Sequence, residues 1–232
     1  MAKKTGSKKP SMTAPPRRAA WLWWAVLGAA AAAALIAGYR GLGNTPKTGG
    51  SAALPPIVQN PPTHGFTWAY RAYSITSRKP AKLVRGQHIT VVMLMASWCL
   101  YCAYDDKYVW PAILHTPGLQ LDIVDVSPHG GIGDPGPQNP PFSGHDNYQS
   151  STIGASQMIQ TMRQYRKKFH LTDSNVHIYV DPKGMRYWSI QDFPTVLIIN
   201  GQGHLAERIN GALTVQNANK LVAQVVSAKS GS

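Results

Sequence analysis

Seven apolar, β-rich residues in a row, ITVVMLM at 89–95, run directly into ASWCLYC, which holds both cysteines of the chain, Cys99 and Cys102. A run that is apolar at every position, with no alternation, reads as a strand buried on both faces. Such a strand needs structure packed over each side, so the chain has to build a layered α/β domain. The residues after the cysteines, AYDDKYVWPAIL, read as helical up to Pro111, where the ring ends or kinks a helix. The two cysteines therefore sit where a central strand hands over to a helix.

The pattern continues along the chain. QLDIVDV at 120–126 reads as a second strand, and ASQMIQTMRQYRKKF at 155–169 as a helix by the spacing of Met158, Met162 and Tyr165. VHIYV at 176–180 reads as a third strand. PTVLII at 194–199 and HLAERI at 204–209 read as a hairpin around Asn200–Gly203, and TVQNANKLVAQVVS at 214–227 as a closing amphipathic helix with Thr214 as N-cap. Residues 66–88 carry a weaker strand pattern. This order predicts a three-layer α/β/α sandwich with helices on both faces of the sheet. One segment breaks the pattern: 128–154, PHGGIGDPGPQNPPFSGHDNYQSSTIG, has almost no periodicity. Loops of that length in a compact domain are either functional lids or disordered, and both readings stay open.

Charge is spread unevenly. The 232-residue chain carries a formal +13, but its first 50 residues hold eight Lys/Arg and no acid, and the remaining 15 basic and 10 acidic residues leave only +5. A basic tail beside an apolar segment accounts for the excess, so no nucleic-acid partner is expected. Trp21 to Gly38 is 18 residues without a charge, with Trp21, Trp23 and Trp24 at one end and Tyr39 at the other. That length and those aromatic ends suit a membrane-spanning helix. Six cations precede it and two follow, which by the positive-inside rule puts the N-terminus in the cytoplasm. The expectation is a single-pass anchor in the cytoplasmic (inner) membrane, with the C-terminal domain periplasmic or extracellular. A cleaved signal peptide shares the basic start and apolar core; the lack of a convincing cleavage site favours the anchor. The expected organisation is a basic tail at 1–19, a transmembrane helix at 20–39, a Pro/Gly-rich linker at 40–63 and a folded domain at 64–228 that contains the 128–154 loop.

A Cys-x-x-Cys pair at a strand–helix junction suits redox chemistry. Free N–H groups and partial positive charge at the helix start stabilise a thiolate on Cys99. Cys102, one turn on, is close enough to resolve a mixed disulfide. A purely structural disulfide closing so short a loop restrains little of the unfolded chain. A zinc site needs four ligands, and no second cysteine pair exists, leaving isolated histidines such as His115, His129 and His145 to complete it. Neither a metal nor a cofactor is expected.

The text GQHITVVMLMASWCLYC at 86–102 resembles membrane-anchored, extracytoplasmic thioredoxin-like proteins of the TlpA/ResA type. DFPTVLIIN at 192–200 resembles the cis-proline segment of the thioredoxin superfamily, and the resemblance covers roughly residues 64–228. It implies a thioredoxin-like fold and a thiol–disulfide oxidoreductase. Cys99 would be the nucleophile, Cys102 the resolving thiol and Pro194 the cis-proline that shapes the substrate groove. Phe193, Leu100 and Tyr101 would meet the substrate, and Trp98 would pack beside the dithiol. Asp105 stands where the TlpA/ResA pattern often has a Glu that tunes or carries the proton of the buried cysteine; its neighbour Asp106 is expected to be solvated. The resemblance further implies a reductant of disulfides in exported cysteine-containing proteins, apocytochrome c among them, recharged by a membrane thiol-reductase donor. Three positions depart from the pattern. Met93 replaces the buried Asp of thioredoxin proper, Leu100-Tyr101 replaces the usual dipeptide between the cysteines, and Asp192 replaces a Gly ahead of the cis-proline. The dipeptide influences the redox potential, so an oxidase or isomerase of the same fold stays open. So does a copper(I) metallochaperone using the two thiolates with Met or His help, although relatives of this fold that deliver copper generally use a CxxxC spacing.

Overall fold

The computed structural model describes Leu54, Ile57 and residues 65–227. The expected tail at 1–19 and transmembrane helix at 20–39 lie outside the described residues, as does the 40–63 linker apart from Leu54 and Ile57. Those two side chains are half-buried against the domain's main apolar cluster, so this part of the expected linker lies on the domain. Among the described residues no helix is long and apolar enough to cross a membrane.

Seven strands form one mixed sheet. They are β1 (Arg71–Ser74), β2 (Pro80–Lys82), β3 (Ile89–Met95), β4 (Leu119–Asp125), β7 (Val176–Val180), β8 (Thr195–Asn200) and β9 (Leu205–Asn210), in spatial order β2-β1-β7-β4-β3-β8-β9. β5 (His129–Gly130) and β6 (Gln149–Thr152) pair apart from it. β3 is central, parallel to β4 and antiparallel to β8, and every one of its seven residues is buried, as its unbroken apolar run requires. The weak pattern at 66–88 resolves into the β1–β2 hairpin at the sheet edge, where a strand is partly exposed and needs less apolar content.

The helices are distributed less evenly than expected. α1 (Leu100–Tyr104), α2 (Trp110–Ile113), α3 (Ala155–Lys168) and α5 (Val215–Ser227) all bury side chains in the same cluster as Val91, Met93 and Met95. The opposite face is closed by the single-turn helix α4 (Gly184–Tyr187), by Trp188 and Ile190, and by Phe66, Trp68 and Tyr70. The reason is topological. β3 to β4 and β4 to β7 step the same way across the sheet, and right-handed crossovers then put both connecting helices on one face. The outcome is a mixed α/β domain with one thick helical layer and one thin aromatic one.

A second difference lies after the cysteines. The helix does not end at Pro111: a π-helical turn (Asp105–Val109) joins α1 to α2, and Pro111 falls in the first turn of α2. The Trp110 N–H reaches back five residues to the Asp105 carbonyl. The wider turn accommodates a proline that has no N–H to give. Trp110 is 1% exposed, and its indole N–H donates to the Met93 sulfur at 3.1 Å. An apolar pair thus fills the place where thioredoxin proper has a buried acid. Trp110→Ala should cost about 3–5 kcal/mol, read as a lower urea midpoint at unchanged slope. A loss below about 1 kcal/mol would show that the helix is not held here.

Candidate active site

Cys99 stands at the N-cap of α1 with an extended backbone (φ −79°, ψ 131°), so its side chain leaves the helix while the next N–H groups point back toward it. Both cysteines are free thiols. Hydrogen bonding from the Cys102 thiol holds Cys99 below the usual thiol range, aided by the backbone N–H groups of Cys102 and Tyr101 and opposed by burial and by Asp146. Cys102 moves the other way. It has no exposed surface, and that burial, followed by the hydrogen bond and charge of Cys99 and then the charge of Asp106, pushes its thiol well up. One sulfur is primed to lose its proton and the other to keep it.

Across the dithiol the Phe193–Pro194 bond is cis, and the Cys99 Sγ lies 3.8 Å from the Phe193 carbonyl oxygen. Pro194 is buried and Phe193 half-buried. The Trp98 ring meets Phe193 edge-on at 5.8 Å and Tyr148 at 5.0 Å, while its indole N–H donates to Ser127 Oγ at 3.0 Å. Tyr101 and Tyr148 are the exposed large apolar residues, at 43% and 50%, and each lies in or against the Trp98–Cys102 motif. The residues predicted for the site, Trp98, Cys99, Leu100, Tyr101, Cys102, Phe193 and Pro194, thus converge beyond the C-terminal end of the central strand β3, where β8 begins.

The carboxylates differ from expectation. Asp105 and Asp106 are both completely buried, so Asp106 is not the solvated residue predicted. Asp105 and Asp106 lie three and four residues after Cys102, so both fall on the helix face that buries its thiol. Asp105 accepts the Leu213 N–H at 3.1 Å. Asp106 accepts the Tyr165 hydroxyl at 2.6 Å on Oδ2, and its Oδ1 has no hydrogen-bond partner. Burial raises its pKa to about 7. Asp106, rather than Asp105, is the carboxylate whose charge acts on Cys102. A third buried acid, Asp125, closes β4 beside Met95 and accepts the Ser127 N–H at 3.1 Å. Burial raises its pKa to about 8, opposed by hydrogen bonding from the Ser127 N–H and from Ser97. An acid ending the apolar run QLDIVDV was a legible signal for Asp125. Tyr165 read only as core.

The 128–154 segment is an ordered strap over this end of β3. Gly133 N–H donates to the Ser97 carbonyl at 2.9 Å, Asn147 N–H to the Trp98 carbonyl at 2.9 Å, and Leu100 N–H to Asp146 Oδ1 at 2.8 Å. Phe142 packs on Tyr104 at 4.4 Å and Tyr101 at 5.4 Å, and the Tyr108 hydroxyl donates to the Gly136 carbonyl at 2.9 Å. Gly131, at φ +112°, comes so near Trp98 and Asn147 that a methyl group would strike the Asn147 carbonyl. Among the described residues no three His, Cys, Asp or Glu side chains gather as a metal cluster.

No family model matches the chain, and no curated protein matches it. Solved structures similar to it include a secreted Mycobacterium tuberculosis disulfide oxidoreductase homologous to E. coli DsbE, at 12% identity and TM-score 0.44, covering 68% of this chain and 95% of that one. StoA from Bacillus subtilis matches at 18% identity and TM-score 0.41, covering 66% and 93%. An uncharacterised conserved protein from Geobacillus kaustophilus matches at 12% identity and TM-score 0.48, covering 76% and 85%. With each of these scores below 0.5, the chemistry has to be read from the dithiol itself.

Buried acids tie stability to pH: burial raises Asp105, Asp106, Asp122, Asp125 and Asp181. Asp106 and Asp122 have pKa values raised to about 7, and Asp125 to about 8. Each holds a proton in the folded protein that the unfolded chain loses near pH 4, so stability is full below about 4 and falls as pH rises through 7 to 8. The unfolding free energy from urea titrations should drop across that window, by at most about 4 kcal/mol for Asp106, and Asp106→Asn should flatten the profile. A free energy that rises with pH there would contradict the assignment. In this mixed α/β domain a Cys-x-x-Cys dithiol opens the helix after the central strand and faces a cis-proline.

Proposed function

We propose that the protein is a thiol–disulfide oxidoreductase, anchored in the cytoplasmic membrane, that reduces disulfides of exported cysteine-containing proteins, with apocytochrome c as a client class. The observation that carries the reading is the asymmetry of the dithiol. Cys99 has its thiol lowered by three donors, while Cys102 is raised by complete burial. The Cys99 thiolate attacks one sulfur of a substrate disulfide; that bond breaks, a substrate thiolate leaves, and a Cys99–substrate mixed disulfide forms. Cys102 then gives up its proton and attacks the Cys99 sulfur, releasing the second substrate thiolate and closing the Cys99–Cys102 disulfide. The substrate gains two electrons and the protein loses two.

Asp106 supports the second step. Its carboxyl, with one oxygen held by Tyr165 and the other unengaged, has a pKa near 7, close to that of a base able to take the Cys102 proton at neutral pH. Each turnover leaves the protein oxidised, so a dithiol donor has to restore it; a membrane thiol reductase fits an anchored domain. The anchor and the outward orientation rest on the N-terminal sequence, with its basic start and its 18 uncharged residues. The exposed Tyr101 beside Cys99 and the Phe193–Pro194 segment opposite it would receive the polypeptide around the substrate cysteine.

Trapping tests the reading. Full-length protein carrying Cys102→Ser should accumulate mixed disulfides with exported cysteine-containing proteins, reversible by dithiothreitol, and Cys99→Ser should accumulate none. Both variants should reduce a model disulfide only at the uncatalysed rate. Equal trapping by the two variants would contradict the roles. Stoichiometric copper(I) retained by the wild type against a competing chelator, with no trapping, would point to metal delivery instead.

A further inference from the structure

We propose that Asp146, carried by the strap, is a positioning residue of the redox reaction: it occupies the N–H of Leu100, the residue that follows Cys99, and sets a negative charge at the start of the dithiol helix, making the dithiol a stronger reductant. This rests on the oxidoreductase reading and deepens it.

The first N–H groups of a helix are the donors on which a low-pKa cysteine depends. Here they are divided. The Tyr101 and Cys102 N–H groups serve the Cys99 sulfur, whereas the Leu100 N–H is taken by Asp146 Oδ1 at 2.8 Å, across 46 residues of sequence. α1 has no side-chain cap of its own from Cys99, so the strap supplies one. The carboxylate is fixed from both sides. His145 exchanges two backbone hydrogen bonds with Asp134, each 3.0 Å, and Asn147 donates to the Trp98 carbonyl at 2.9 Å. On its other arm the strap is pinned by the Gly133 N–H on Ser97, and a side chain at Gly133 would strike the Cys99 carbonyl. The strap therefore touches the backbone at residues 97, 98, 99 and 100 and sets one acid down among them.

The consequence follows from charge. A carboxylate beside a thiolate disfavours the thiolate, and Asp146 opposes the donors that lower Cys99. The disulfide carries no such charge, so only the reduced state is destabilised. A less stable reduced state is a stronger electron donor. The other ionisable groups that feel the Cys99 charge are Cys102 and Asp105 from its own helix and Tyr165 from α3, all three buried. Asp146 is exposed, so its influence is the one that salt screens.

The test uses the full-length reduced protein and two substitutions. Asp146→Asn keeps the shape and the acceptor oxygen but removes the charge; Asp146→Ala removes both. The readouts are the pH dependence of Cys99 alkylation by iodoacetamide and the equilibrium with glutathione, with thermal unfolding as the control for the cap. Asp146→Asn should move the thiolate titration to lower pH. Alkylation below the midpoint should be about two- to fivefold faster, a surface charge being partly screened. The glutathione equilibrium should shift by a similar factor toward reduced protein, at unchanged Tm, and both effects should shrink in high salt. Asp146→Ala should shift both readouts in the same direction. If Asp146→Asn titrates and equilibrates as the wild type does, or shifts the opposite way, Asp146 is only a helix cap and the proposal fails while the oxidoreductase reading stands. If the wild type forms no reversible disulfide, that reading fails and the positioning role falls with it.

Discussion

Cys102 has no water to which it can give its proton. Its thiol is sealed between the helix start and the wholly buried strand β3, and much of the site follows from that sealing. Burial keeps the thiol protonated, so it can donate to Cys99 and stabilise the thiolate there. The same burial means the proton has to leave through a protein group when Cys102 attacks. In the proposed reaction Asp106 meets that need, with Tyr165 from a different helix holding one of its oxygens. In thioredoxin proper an acid on the central strand has this neighbourhood. Here Met93 and Trp110 fill it with apolar contact, and the acid comes from the helix instead.

The strap makes the site a two-sided construction. One side is the strand–helix junction and its cis-proline neighbour, all within the sheet scaffold. The other is a glycine- and proline-rich segment that adds little to the central sheet. Its hold on the motif is through backbone groups, on the Ser97 and Trp98 carbonyls and at the Leu100 N–H. Backbone contacts of this kind tolerate wide sequence change but demand close approach, which is why glycines stand at 131 and 133.

How much of this was legible depended on whether burial left a periodic trace. The strands β3, β4, β7, β8 and β9 and helices α3 and α5 were readable within a residue or two, because each buries a regular face. The Cys-x-x-Cys junction was readable for the same reason. The sidedness of the helices was not, since it depends on the order in which strands are laid down. The π turn was invisible, and so was the division of roles: Asp105 and Asp106 both follow Cys102 at same-face spacing, and only the tertiary partners Leu213 and Tyr165 tell them apart. The strap was legible only as an anomaly, because its contacts are made by main-chain groups that every residue possesses. Leu54 and Ile57, set among prolines, read as linker although they pack on the core.

The most direct test of the central claim is the reduction potential of the Cys99–Cys102 couple in the full-length protein, equilibrated against dithiothreitol. The account predicts a reversible two-electron couple in the reducing range, near roughly −270 mV. A potential of roughly −120 to −180 mV would contradict the reductant and point to an oxidase or isomerase. Failure to form any reversible disulfide would contradict redox function altogether.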